Sequence, residues 1–459
     1  MKKEIVKEQN PLGTRPIPQM LLSLAVPAVI ANLVNAVYNI VDQIFIGNKI
    51  GYLGNAATNV AFPLTTICMA IGLMVGLGSA AGFNLNLGRK EPGEAKGVAG
   101  TAFTSLLICG IIICILIRFF LQSLMVAFGA TDDILSYAME YSGITSFGIP
   151  FLLFSTGTNP LVRGDGNAKY SMTAIITGAI LNIILDYTFM YVLEWGIAGA
   201  AWATVIGQIV SAVLLMLYFP KFQHVRFEAV DFIPKGKYIM QICRLGFSSF
   251  AFQSSTLVVQ VVLNNLLRTY GEQSMYGSEI TIAVAGIMQK INAIFVAVVI
   301  GVVQGSQPIC SYNYGAKKYM RVRETVRLLM VSTTVLSTLI FILIQCFPRQ
   351  IMGLFGEGTE EYFKFATVYA RGFAAVMFLN GIQTSCTTFF PSIGKAWKGS
   401  VISLSKQLVL LVPLLIVLAR WLGVDGIVMA TPISDALAFM IAALFLYFEM
   451  KHMPKEDTA

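Results

Sequence analysis

The chain has 459 residues, 56% hydrophobic and 12% charged, with a formal net charge of +8 and a mean hydropathy of +0.72. A soluble domain carries roughly 25% charged residues, so this composition excludes an ordinary soluble enzyme or binding module and places the chain in a bilayer. The basic excess follows from membrane topology and requires no nucleic-acid partner.

Apolar runs of roughly 20 residues, each able to cross ~30 Å of hydrocarbon as a helix, recur about twelve times. They fall at 17–46, 55–83, 97–121, 134–158, 168–192, 196–219, 238–267, 280–305, 322–347, 362–389, 399–421 and 426–448. The expectation is an all-α integral membrane protein. Its parts are a cytoplasmic segment 1–16, an N-terminal lobe 17–221, a cytoplasmic linker 222–237, a C-terminal lobe 238–449 and a cytoplasmic tail 450–459. With both ends inside, Lys2, Lys3, Lys7, Arg15, Arg89, Lys90, Lys317, Lys318, Arg321 and Arg323 gather on the inner face. The outer face keeps few cations, among them Lys49, Arg118 and Arg349. That asymmetry sets the orientation of a multi-pass protein of the cell (inner) membrane. No removable signal peptide is expected, because the first apolar run is too long and lacks a small-residue cleavage site.

The first span carries a polar stripe of Asn32, Asn35, Asn39 and Asp42, whose steps of three and four residues share one helical face. That face cannot look at lipid. Pro27, inside the same span, removes a backbone donor and is expected to bend the helix. In the second span, Gly76-x-Gly78-x-x-Ala81 matches a dinucleotide fingerprint by letter but lacks the strand that such a site needs. Small residues there serve close helix approach. The fifth span places Gly178, Asn182 and Asp186 on one face, and the sixth offers the Thr204 hydroxyl.

An acidic side chain near the bilayer centre costs roughly 2.5–3.5 kcal/mol on insertion scales, so buried acids mark function by default. At 1.5 Å per residue, Asp42 should lie ~6 Å below the outer end of its span, Asp186 ~9 Å, Thr204 ~12 Å and Asn182 ~15 Å. These oxygens at similar depth suit a hard cation or a proton relay between paired acids.

The second half repeats the first. Thr204 and Thr431, Gly88 and Gly315, and Gly129 and Gly356 pair at one constant offset in matching local sequence. Such duplication in an apolar chain suggests a transporter built from repeats. The stripe Asn32, Asn35, Asn39 becomes Gln253, Thr256, Gln260, but Asp42 becomes Leu263, and Asn182 and Asp186 become Leu410 and Leu414. Groups that merely glued helices together would be expected in both halves. Asp435 lies opposite Gln208, which favours a packing role. Of the embedded cations, Lys290 is expected to face the cavity, with Gln253, Gln260 and Met288 as further lining residues. Arg244, Arg371 and Lys406 are expected to snorkel to the interface. The seven cysteines form no C-x-x-C pair, and His224 and His452 lie in loops, so neither a metal centre nor a catalytic triad is expected.

The segment Asp42-Gln43-Ile44-Phe45-Ile46-Gly47, the turn Arg163-Gly164-Asp165-Gly166, the pair Asn182 and Asp186, and the duplicated Asn-x-Gly loops at Asn86 and Asn313 resemble the multidrug and toxic compound extrusion (MATE) family, in its DinF-like branch. The resemblance implies two pseudo-symmetric six-helix lobes around a central cavity and a first helix bent at Pro27. It also implies export of amphipathic, mostly cationic organic compounds against H+ or Na+, with no cofactor and no metal beyond Na+ at the coupling site. Asp42, Asn182, Asp186 and Thr204 match that branch's coupling site, and Tyr141 matches a tyrosine near it. A monomer is expected. A flippase for a lipid-linked precursor is the alternative, although it would call for a more basic cavity or extra spans; an enzyme is not expected.

Overall fold

The computed structural model describes residues 10–354 and 359–457. Lys2, Lys3, Lys7 and Gly356 lie outside them, as do most of the expected N-terminal segment and the last two residues of the tail. Twelve long helical units follow one another: α1 Ile17–Ile50, α2 Tyr52–Gly88, α3 Pro92–Ala127, α4 in two pieces (Asp132–Thr145 and Ile149–Gly164), α5 Ala168–Val192, α6 Gly196–Lys221, α7 Gly236–Glu272, α8 Gly277–Gly315, α9 Tyr319–Cys346, α10 Glu360–Ser392, α11 Ala396–Leu422 and α12 Val424–His452. Among the described residues, eleven are long and apolar enough to cross a membrane.

The exception is α4, whose pieces have 14 and 16 residues and meet at a 3-10 turn, Ser146–Gly148. Gly148 abuts the Gln208 side chain of α6, and Pro150 opens the next piece. Arg118 of α3 braces the break, donating to the Gly143 carbonyl at 3.1 Å and lying 4.1 Å from the Phe147 ring centroid. Several helices outrun their apolar cores. The expected span 280–305 continues to Gly315, because hydropathy reports the hydrocarbon thickness whereas the helix carries on into a polar segment.

One apolar cluster is built from residues of the first half with Tyr238 and Ile242 of α7, and a second from residues of the second half between Leu267 and Ala430. A third cluster joins Leu12, Ile17 and Leu24 to Ile309 of α8. Each half's first helix therefore starts against the other half, so the stretch near Tyr238 packs with the N-terminal core although it opens the expected C-terminal lobe. Glycine makes this crossing possible. Gly78 of α2 sits on the α7 backbone at Ile242 and Gly246, and at the equivalent place Gly305 of α8 sits on Ala25 of α1. A Cβ on Gly305 would lie 2.6 Å from the Ala25 Cα. The repeat partners Gly88 and Gly315 meet at one point, each against the backbone of the other's helix. Only a residue without a side chain permits that approach.

The segments ahead of α1 and α7 are pinned across the same seam. Asn313 donates to the Leu12 carbonyl at 2.9 Å, Lys318 to the Gly13 carbonyl at 2.9 Å and Arg321 to the Arg15 carbonyl at 2.6 Å. In the linker, Thr104 of α3 donates to the Phe232 carbonyl at 2.6 Å, and Lys96 pairs with Asp231 at 3.2 Å.

The turn after α4 is a staple. Asp165, fully buried, accepts from Tyr218 Oη at 2.8 Å, the Gln223 amide at 2.7 Å and the His224 amide at 3.2 Å, and lies 2.9 Å from His224 Nδ1. Gly166 takes φ +98° to turn the chain. Since a buried donor left unpaired costs about 1–3 kcal/mol, Asp165→Ala is expected to lower the unfolding temperature in detergent markedly. Export per folded molecule should be unchanged; an unshifted melting curve would contradict the role.

Candidate functional site

The acid site is assembled by a helix crossing. Gly178 of α5 and Gly207 of α6 lie against each other's backbone, and a Cβ on Gly207 would also come 3.2 Å from the Asn182 Cβ. This approach pushes Asn182 and Asp186 against α6 beside Thr204. Asn182 Nδ2 donates to Thr204 Oγ1 at 3.4 Å. With its amide turned over, the nitrogen donates to Asp186 Oδ2 at 3.2 Å and the oxygen accepts from the Thr204 N–H at 3.1 Å. The turned arrangement is the better satisfied, because it pairs a donor with a carboxylate.

Asp42 arrives from α1 and brings its carboxyl beside that of Asp186. Asp186 and Asn182 are buried, while Asp42 and Thr204 are half-buried. One oxygen of each acid, Oδ1 of Asp42 and Oδ1 of Asp186, is buried without a donor among the described residues. Two neighbouring carboxyls away from water cannot both stay charged, so the pair calls for a proton or a cation. Carboxyl, amide and hydroxyl oxygens fit either. Among the described residues, no group of three or more His, Cys, Asp or Glu is arranged to hold a metal ion.

α1 ends at Ile50 rather than at residue 46, so Asp42 lies about eight residues from its end, ~12 Å at 1.5 Å per residue. Tyr141 lies near Thr204 and both acids, and Tyr38 of α1 lies near both acids as well. Tyr38 went unnoticed in the sequence, although its place four residues before Asp42 puts it on the same face. Beyond the site, Phe45 packs on Tyr191 with centroids 5.9 Å apart, and Lys49 pairs with Glu194 at 3.3 Å. A π-helical turn, Thr188–Val192, begins two residues after Asp186; such turns recur at functional sites.

The rest of the stripe divides by position. Asn32 reaches α8, within 3.4 Å of Gln304 Oε1, while Asn39 is exposed and donates to the Asn35 carbonyl at 2.7 Å. α1 is one continuous helix through Pro27, so the expected bend is not a break here. Pro27 is buried, with the α1 backbone at Ala25 and Val29 resting on Gly305 and Gly301 of α8.

In the second half, Gln253 and Gln260 are half-buried and Lys290 is exposed. Met288 does not line a cavity. It is 1% exposed and belongs to the second apolar core with Val284 and Ile291, because its helix face turns inward. Lys406 does not snorkel either; its ammonium lies 2.8 Å from Asp435 Oδ1, a paired charge being far cheaper inside than an unpaired one.

The MatE family model matches residues 27–188 and 245–417, well over half of the chain. The chain belongs to the MatE family. Among curated relatives, this MatE chain is 23% identical over 432 residues to the multidrug export protein MepA of Staphylococcus saprophyticus, covering 93% of each protein. With MepA of Staphylococcus haemolyticus it shares 24% over 444 residues, 96% of this chain and 95% of the relative. Among solved structures, one described as the outward-facing conformation of a multidrug resistance MATE family transporter superposes with a TM-score of 0.90 at 22% identity, covering 97% of this chain and 98% of that one. A MATE transporter in a bent conformation superposes with a TM-score of 0.87 at 22% identity, over 95% and 96% of the two chains. The MatE chain thus has the family's two-lobe helical fold.

Proposed function

We propose that this MatE chain is a secondary active efflux transporter that exports amphipathic, mostly cationic organic compounds in exchange for H+ or Na+. The observation that carries the reading is the placement of Asp42 beside Asp186, each with one buried oxygen lacking a donor among the described residues. The relatives named multidrug export proteins support small organic compounds as the substrates. The protein sits in the cell membrane as a monomer with both termini cytoplasmic, and the two halves rock to expose the cavity alternately. The glycine-lined seam between α2 and α7 and between α1 and α8 is then the cytoplasmic closure of an outward-open state. A cation entering from outside neutralises the acid pair, α1 bends at Pro27, and affinity for the bound compound falls.

The test uses vesicles containing the purified protein and a fluorescent organic cation, with a pH gradient imposed in one arm and a Na+ gradient in the other. Export driven by one of the two supports the reading and names the ion. Export driven by neither, or movement of a lipid-linked precursor in its place, would refute it.

A further inference from the structure

The second half has a buried carboxylate of its own, and a side chain already neutralises it. Asp435 on α12 is 3% exposed. Lys406 Nζ of α11 lies 2.8 Å from its Oδ1, as an ion pair off the hydrogen-bond axis, and Asn380 Nδ2 of α10 donates to its Oδ2 at 2.9 Å. Lys406 Nζ also donates to Asn380 Oδ1 at 3.3 Å, which closes a three-membered ring across three helices. The lysine stands near the start of a π-helical turn, Ser405–Leu411, and Ser434 Oγ donates to its carbonyl at 3.0 Å. Beside the ring, Ser337, Asn380 and Thr384 help line a cavity of about 30 Å³, room for a water molecule. Among the described residues, neither Lys406 nor Asp435 makes another ion pair.

The first half is built the other way. Lys406 aligns with Gly178 and Asp435 with Gln208, so no ring forms there, and among the described residues the acids Asp42 and Asp186 have no cationic side chain paired with them. A carboxylate in a low-dielectric interior needs a proton, a free cation or a fixed one. One half leaves that demand open. The other meets it with the ammonium of its own side chain, as an ion pair.

We propose that Lys406 is a tethered cation: its ammonium holds at Asp435 the place that an exchanged cation takes between Asp42 and Asp186, and so confines cation exchange to the N-terminal half. The inference rests on reading those two acids as the exchange site. Removing the lysine then creates a second site that must recruit its own cation, a change that loss of packing alone would not produce.

The experiment compares wild type, Lys406→Met, Lys406→Met/Asp435→Asn and Asp186→Asn in proteoliposomes, counting H+ and Na+ moved per exported organic cation. Lys406→Met is expected to move one more cation per turnover than wild type, and the double variant to return to the wild-type ratio. An unchanged ratio in Lys406→Met, or a double variant that shifts like the single one, overturns the proposal. Melting of Lys406→Met in the Asp186→Asn background gives a second readout: stabilisation by H+ or Na+ should survive there and vanish when Asp435→Asn is added. Its absence also overturns the proposal. Should the methionine variant not fold, Lys406→Gln, which keeps a donor without charge, is scored the same way. Wild-type coupling in Asp186→Asn alone would instead sink the exchange-site reading, so the two failures are distinguishable.

Discussion

Asparagine at position 186 is expected to leave the protein folded and inserted but to bring gradient-driven export of a fluorescent organic cation down to the level of empty vesicles. The side chains are nearly isosteric, so the Gly178–Gly207 crossing that builds the site should survive. What disappears is the acid beside Asp42, and with it the means of exchanging a proton or binding a cation without a lasting unpaired charge. Export and melting should be measured on the same preparation. Normal melting with abolished export is the expected pair of results, and wild-type export by the asparagine protein would remove Asp186 from the coupling step.

A leucine at Gly246 should fail for a different reason. That glycine carries α7 across the backbone of α2 at Met74, where no Cβ fits. Overpacking a well-filled interface typically costs about 1–3 kcal/mol, and here the obstacle is backbone, which cannot swing aside. A lower melting temperature and loss of export are both expected, with the acid site untouched. Gly286→Ala is the matched control, since a Cβ there meets nothing within 4 Å. Equal behaviour of the two variants would show that the seam tolerates bulk and is not the closure inferred for it.

Much of this architecture was legible in the sequence because the bilayer imposes simple rules. Runs of apolar residues had to be helices, and Asp42 and Asp186 stood out because charge is rare among them. Their meeting could be argued from depth. Helix ends were less legible, since Gly315 closes a segment that polarity alone marks as loop. The break in α4 depends on Gly148 meeting Gln208, and the ring at Asp435 joins residues from three helices. Periodicity within a single helix carries no information about such partners. For that reason Lys406 read as an interfacial lysine and Met288 as a cavity residue, when one is paired and the other is in the core. Tyr38 was discoverable from its spacing to Asp42, but a tyrosine in a hydrophobic span carries no signal of its own.

The central claim concerns exchange at the acid pair, and drug-driven cation flux tests it most directly. A gradient of the organic cation alone would be imposed across vesicles in the absence of any ion gradient, with an entrapped pH dye and radiolabelled Na+ reporting the counter-flow. Wild type is expected to move one of these ions opposite to the drug, and a protein carrying both Asp42→Asn and Asp186→Asn to move neither. Counter-flow of equal size in the two proteins, or drug movement in wild type with no ion flux at all, would contradict the account.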